Sequence, residues 1–359
     1  MAYDCYCAIC GVGFCGMHIE TPSEASLERR RRWIEKRYRA MKASSNNPPL
    51  PHENEARDDP VRSYDPRIVG WDNVSWLYKA YCLGLSDQPD TKSKAFISGP
   101  GYYADIGEIA VKTESESGHT QQRNVFACYG SGSDDARGPV IPFHWCCYEI
   151  LTRTLTGSTD TNNVNTDVLY TVMNDLCNMS GSALDVTYGP DYCATHPTNT
   201  PTLEKFIQTS VTEDKDLRVP PTKIHLNGRS PTSPFGNLPL EMIYRICSFL
   251  PGESIKALTE ASLSMHLVSQ HNYFWEKTIQ WDMPWLSEFH ALKAGKEKSS
   301  LPDDINYKRL YLWLDNMTAP RYGMDNPSLT GVANRRRIWK VCEQLAPRYL
   351  KGLEEVAQK

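Results

Sequence analysis

Between Pro239 and Leu250 apolar residues are packed more densely than a surface helix requires. Pro239 suits the first helical position, where its missing N–H is no loss, and Glu241 in the first turn meets the positive end of the helix dipole. Leu250-Pro251-Gly252 ends the predicted helix, because proline restricts the residue before it and glycine tolerates the turn. At about 100° per residue, Leu240, Ile243, Cys247 and Leu250 share one arc, and Met242, Ile246 and Phe249 form a second arc beside it. Only Glu241, Arg245 and Ser248 clearly face water. A surface helix buries a stripe roughly 100° wide, so two arcs predict two contacts, one with its own domain and one with a partner. A second helix follows, with Ser254 as N-cap and Ile255, Leu258 and Ala261 at helical spacing. A third carries Leu263, Leu267 and Val268, and leads to Phe274-Trp275. The stretch 233–285 is too short to bury all of this unaided, since small units have too much surface for their volume.

The remaining pattern predicts an α+β chain. Ser26 to Ala43 has no breaker and reads as a helix in which Leu27, Trp33, Ile34, Tyr38 and Met41 interrupt a run of bases. Ser44 to Tyr64, rich in Asn, Pro and acids, supports no core and reads as a linker. From Pro66 to Val140, short aromatic and β-branched segments alternate with Gly-Pro punctuation, which predicts strands of a small mixed sheet. Gly99-Pro100-Gly101 and Gly130-Ser-Gly-Ser are turns, having neither the Walker lysine nor Rossmann spacing. Helices are predicted over Pro142–Leu155 and Val168–Met179, then a strand over Leu184–Tyr188. The proline-rich segment that follows is a second linker. Beyond Leu286 the pattern is helical, from Tyr307 and again from Asn334, where Leu345, Tyr349 and Leu353 stand at i, i+4 and i+8 and Pro347 is expected to kink or split the helix. The predicted organisation is a Cys-rich mixed α/β module over 1–190, a linker over 191–232, the helical hairpin over 233–285 and a helical C-terminal region over 286–359. No repeat of 20 to 50 residues follows the hairpin, which excludes a leucine-rich or propeller platform there.

Charge narrows the function classes. Forty-three acidic and 39 basic residues leave a net charge of −4 over 359 residues, so no global field favours nucleic acid or an anionic membrane. The basic runs Arg29–Arg32 and Arg335–Arg337 raise the question of nuclear import, but with no companion stripe they read as solvated helix faces. No apolar segment approaches the ~20 residues that span a bilayer. A soluble cytoplasmic or nuclear protein is the expectation, and in that setting the 12 cysteines are thiols or metal ligands rather than disulfides.

Five chemistry-bearing residues crowd the N-terminus: Cys5, Cys7, Cys10, Cys15 and His18. Cys7-Ala-Ile-Cys10-Gly has the form of a zinc knuckle, in which the C-x2-C turn brings two thiolates to one tetrahedral metal and Gly11 supplies an open backbone conformation. The second ligand pair comes either from Cys15 and His18 or from His144 and Cys147. The distant pair resembles the treble-clef arrangement, whose second pair lies on the first turn of a helix, and is preferred on that ground. Cys5, Cys128 and Cys146 remain substitutes, and reduced cysteines in a small core are the plain alternative. An enzyme is not expected: no Cys–His pair has a local catalytic signature, and Asp58-Asp59, Asp134-Asp135 and Asp303-Asp304 sit in polar loops.

The hairpin resembles the F-box family. Its Leu-Pro-x-Glu start, apolar helix, break, second helix and terminal aromatic are matched by Leu238, Pro239, Glu241, Ile243, Ile246, Leu250, Ile255, Leu258 and Trp275, while Ala261 to Gln270 departs from the family pattern. The Ile9-Cys10-Gly11 triplet, the His-x-x-Cys helix and Leu184-Asp-Val-Thr-Tyr188-Gly look like the Cys-rich N-terminal region of a group of fungal F-box proteins. The resemblance implies an all-α F-box that docks on a Skp-family adaptor, and through it a cullin complex, as the substrate receptor of an SCF-type ubiquitin ligase with an unknown protein target. Its adaptor face is expected at Leu238, Pro239, Leu240, Ile243, Ile246, Leu250, Ile255 and Leu258. The alternative is a zinc-stabilised interaction module whose helices pack internally.

Overall fold

The structure, a computed structural model, describes residues 5–14, 32, 71–86, 94–105, 107–112, 123–130, 138–178, 181–187, 191–219, 234–294, 301–302, 304–321, 324 and 326–358. The linker expected over 44–64, the helix expected over 26–43 apart from Arg32, and the Cys15/His18 pair lie outside these residues. The chain forms two compact units, one from residues 1–200 with 320–359 and the other from 201–319.

The first unit begins with the knuckle at 5–14. Then come α1 (Trp71–Val74), a 3-10 turn (Ser75–Tyr78), β1 (Tyr81–Leu85), β2 (Ala95–Ile97), β3 (Gly101–Asp105), β4 (Glu108–Lys112), β5 (Arg123–Ala127) and β6 (Ile141–Phe143). The strands form two three-stranded sheets, ordered β2-β1-β6 and β3-β4-β5, with every pairing antiparallel. This corrects the expected mixed sheet; among the described residues a parallel contact occurs as the isolated bridge between Cys128 and Val140. Ala80 and Gly101 exchange backbone hydrogen bonds of 2.9 and 2.7 Å between the sheets. Only glycine fits there, because a Cβ on residue 101 would lie 2.6 Å from the Ala110 carbonyl oxygen.

Pro142 opens no helix. It lies in β6, at a sheet edge where its missing N–H is tolerated, and α2 (Trp145–Thr156) starts after the extended residue His144. Gly157, at φ 72°, closes that helix in the left-handed conformation. The next helix, α3 (Thr166–Leu176), starts where the Asn165 side chain accepts from the Val168 amide at 3.1 Å. The strand expected over 184–188 is absent among the described residues; the pairing lies earlier, in the two-residue hairpin of β7 (Cys177–Asn178) and β8 (Gly181–Ser182).

The second unit is helical: α4 (Leu203–Glu213), a 3-10 turn (Lys215–Arg218), α5 (Leu240–Cys247), α6 (Gly252–Ala261), α7 (Leu263–Val268), α8 (Asn272–Asp282), α9 (Ser287–Ala294) and α10 (Tyr307–Thr318). The first of these corrects the linker expected over 191–232. Leu203, Ile207 and Val211, at i, i+4 and i+8, are all buried, a stripe that the surrounding prolines obscure in the sequence. Trp275 anchors the core, with its ring 5.2 Å from that of Tyr311 on α10 and its indole N–H donating to the Ser269 carbonyl at 2.6 Å. Asp282 accepts from the Gly252 amide at 2.7 Å and from the Tyr311 hydroxyl at 2.9 Å. Residues 286–319 therefore complete the hairpin's own core and do not belong to a separate C-terminal region.

The chain then returns to the first unit as α11 (Pro327–Ala357), a 31-residue helix that runs through Pro347 without a break. Pro347 and Glu343 are both exposed, so water can take the place of the bond that proline removes. This helix packs on α2 and α3 through Ile338, Val341, Cys342, Leu345 and Tyr349. The Tyr349 hydroxyl accepts from the Asn165 amide at 2.8 Å. Gly331 marks a close approach to another backbone segment, since a Cβ there would sit 2.9 Å from the His196 carbonyl oxygen. Gly-to-Ala in a helix ordinarily stabilises by up to ~1 kcal/mol; Gly331→Ala is expected to reverse that sign and cost about 1–2 kcal/mol. A urea midpoint that rises in this variant would contradict the packing. No helix among the described residues is long and apolar enough to cross a membrane.

Candidate metal centre and exposed helix face

Cys7 and Cys10 stand on a turn that their own backbone closes. The Gly11 amide donates to the Cys7 carbonyl at 2.8 Å, the Cys7 amide donates to the Val12 carbonyl at 2.9 Å, and Gly11 takes the left-handed φ of 72° that the turn requires. The turn is fastened to the far end of the site by the Ala8 amide, which donates to the Pro142 carbonyl at 2.9 Å. Tyr129 braces it from another side: its ring stacks on Tyr6 at 4.6 Å and its hydroxyl donates to the Tyr6 carbonyl at 2.6 Å. His144 and Cys147 arrive on the cap and first turn of α2.

The ligand atoms of Cys7, Cys10, His144 and Cys147 all lie within 4.8 Å of one another. Cys10 Sγ is 3.4 Å from His144 Nδ1, and the amides of Cys10 and His144 each donate to Cys7 Sγ at 3.4 Å. A tetrahedron with metal–sulfur bonds of about 2.3 Å has edges of roughly 3.8 Å, so the spacing fits one ion. His144 Nε2 sits 3.3 Å from the Leu77 carbonyl. With Nε2 donating there, the Nδ1 lone pair faces the sulfurs, which is the outer support that a metal-bound imidazole needs. Phe14 and Trp76 close over the ring, with centroids 4.4 and 4.6 Å away.

All four side chains are buried. Burial pushes the Cys7 and Cys147 thiols well above their ordinary range. Burial also opposes ionisation of Cys10, but hydrogen bonds from Cys147 and Cys7 and the adjacent His144 outweigh it and pull that thiol well below its ordinary range. Cysteine binds metal as the thiolate, so an arriving cation would displace the thiol protons of the cluster. Four protein ligands close the coordination shell, so the geometry suits a structural ion and leaves no position for a reacting molecule. The structure therefore assembles the preferred distant pair with the knuckle. Cys5, Cys128 and Cys146 are buried as well, but none joins this cluster among the described residues; Cys128 is held as a thiol by its hydrogen bond with Cys5 and by burial.

Sequence reasoning missed the support from α11. Arg335–Arg337 were expected to be solvated, yet Arg335 and Arg337 are buried. Arg335 donates to the Pro197 carbonyl at 2.7 Å and the Thr200 hydroxyl at 2.9 Å. Arg337 donates to the Cys10 carbonyl at 2.7 Å and the Thr187 carbonyl at 3.1 Å. A signal was present: at 100° per residue Arg337 shares the stripe of Val341 and Leu345, so the helix could bury them only by burying the arginine too.

In the second unit the expected adaptor face divides. Pro239 and Leu240 are exposed, and Leu238, Ile246, Leu250 and Leu258 are half-buried. Ile243 and Ile255 are buried at 2% and 0% and are corrected from binding face to core. Ile243 and Cys247 point inward together from α5, which turns the second arc out: Met242 is 51% exposed and Phe249 71%. Leu263 and Tyr273 are also exposed. Basic side chains cover two of these aromatic rings, Arg245 over Phe249 at 4.7 Å and Lys277 over Tyr273 at 5.3 Å. Comparison with protein-family models, with curated proteins and with solved structures returns no match.

Proposed function

We propose that this chain is a substrate receptor of an SCF-type ubiquitin ligase. In this reading residues 233–285 act as an F-box on a Skp-family adaptor, and the first unit, stabilised by zinc bound to Cys7, Cys10, His144 and Cys147, helps to present a protein target. The observation that carries it is the exposed apolar surface of α5 and its C-terminal turn, where Leu240, Met242 and Phe249 remain open to solvent although the unit has a core of its own. That surface lies on the element where the sequence resembles an adaptor-binding helix. Zinc is favoured by the three-sulfur, one-nitrogen donor set.

A second reading, a metal-stabilised interaction module without a ligase role, draws support from Ile243 and Ile255, which pack internally. Co-expression separates the two. The full chain is expected to purify with a Skp-family adaptor as a one-to-one complex by size-exclusion chromatography. Separate elution of the two proteins at micromolar concentration would remove the receptor reading and leave the module.

A further inference from the structure

Arg337 is 3% exposed, and among the described residues no carboxylate pairs with it. Its Nε donates to Asn334 Oδ1 at 3.0 Å, its Nη1 donates to the Cys10 and Thr187 carbonyls, and its Nη2 has no hydrogen-bond partner. A guanidinium is always charged, and a buried charge without a counter-charge is strongly unfavourable. The nearby groups that interact with it electrostatically include Cys193 and two of the four candidate metal ligands, Cys10 and Cys147. A divalent ion bound by three thiolates and one neutral imidazole carries one net negative charge. The guanidinium has no carboxylate partner among the described residues, and the filled centre beside it would carry a matching negative charge.

We infer that Arg337 is the built-in counter-charge of the metal centre, a positioning residue that holds the Cys10 turn and balances the anionic three-thiolate complex. This inference rests on the metal reading of Cys7, Cys10, His144 and Cys147. It gives the return of α11 to the first unit a purpose besides apolar packing, because the helix brings the Arg337 guanidinium onto the Cys10 turn. Asn334, one turn earlier, fixes the guanidinium while its own amide donates to the Cys193 carbonyl at 3.2 Å and the Thr195 carbonyl at 2.8 Å.

The test titrates the full chain with Co²⁺, read by its thiolate-to-metal and d–d absorption, and with Zn²⁺ in competition with a chromophoric chelator. R337M is expected to weaken metal binding by about 10- to 100-fold, the usual effect of losing an outer-sphere partner. A charge cycle separates the counter-charge from a mere backbone clamp. Cys147→His makes the filled centre neutral, so in that background R337M should cost less than about threefold; an equal cost in both backgrounds overturns the inference. Should R337M fail to fold, R337K takes its place, and because it keeps the charge it should bind metal far better than R337Q. Equal affinities for R337K and R337Q would also overturn it. A native chain that shows no cobalt–thiolate absorption brings down the metal centre itself and this inference with it, whereas binding that R337M leaves unchanged defeats this inference alone.

Discussion

Stripping the metal with a strong chelator, or replacing Cys10 by Ser, is expected to lower the melting temperature of the first unit by about 10–20 °C. The size follows from what the centre joins. Cys10 and His144 stand 134 positions apart, so one ion would tie the N-terminal turn to the start of α2 across most of the unit. Closing a loop of that order by a covalent link removes on the order of 5 kcal/mol of unfolded-state entropy, and a four-ligand ion acts as such a link. A loss of that size corresponds to ~2–4 °C per kcal/mol for a unit of this length. Differential scanning calorimetry with and without chelator checks it, alongside elemental analysis. A melt that ignores the chelator, in a protein without about one equivalent of bound metal, would show that the four residues are only packed thiols and a histidine.

Ile243→Asp and the pair Met242→Asp with Phe249→Asp should behave in opposite ways, although all three positions lie within one short apolar run. Ile243 is buried, so a carboxylate there must either stay neutral or lose its hydration, and a cost of about 3–5 kcal/mol is expected, enough to unfold the second unit. Met242 and Phe249 are 51% and 71% exposed, so their replacement should leave the melting temperature within ~2 °C. On the receptor reading, the same pair should weaken adaptor binding more than ~30-fold, as loss of an aromatic anchor at the centre of an interface does. Adaptor capture measured beside circular dichroism distinguishes the outcomes. A folded Met242/Phe249 variant that still captures the adaptor at native strength would remove this surface from the interface. Loss of capture by Ile243→Asp alone would prove nothing about binding, because an unfolded unit cannot dock.

The two sites differed in how far local pattern could read them. The Cys7, Cys10, His144 and Cys147 cluster was within reach because a C-x2-C turn and an H-x2-C helix start each carry candidate ligand geometry in a few residues, and only their pairing needed the fold. Which face of α5 is core was not within reach: Ile243 and Met242 are both large and apolar, and only the packing of the folded unit decides which is covered. Arg337 failed for a related reason. A charged residue is read as solvated by default, and its burial depends on carbonyls and sulfurs contributed by segments that stand far away in the sequence.

By itself the sequence determined the α+β class, the helical character of 234–285, the knuckle turn at Cys7–Cys10 and the apolar stripe of the last helix. These are set within a turn or two of chain by spacing, caps and breakers. The tertiary structure decided that residues 286–319 complete one unit while 320–359 return to the other, that His144 and Cys147 meet the knuckle, and that a guanidinium is buried beside the sulfurs. Those outcomes depend on which surfaces exclude water from one another, a property of contacts between distant segments that no local periodicity encodes.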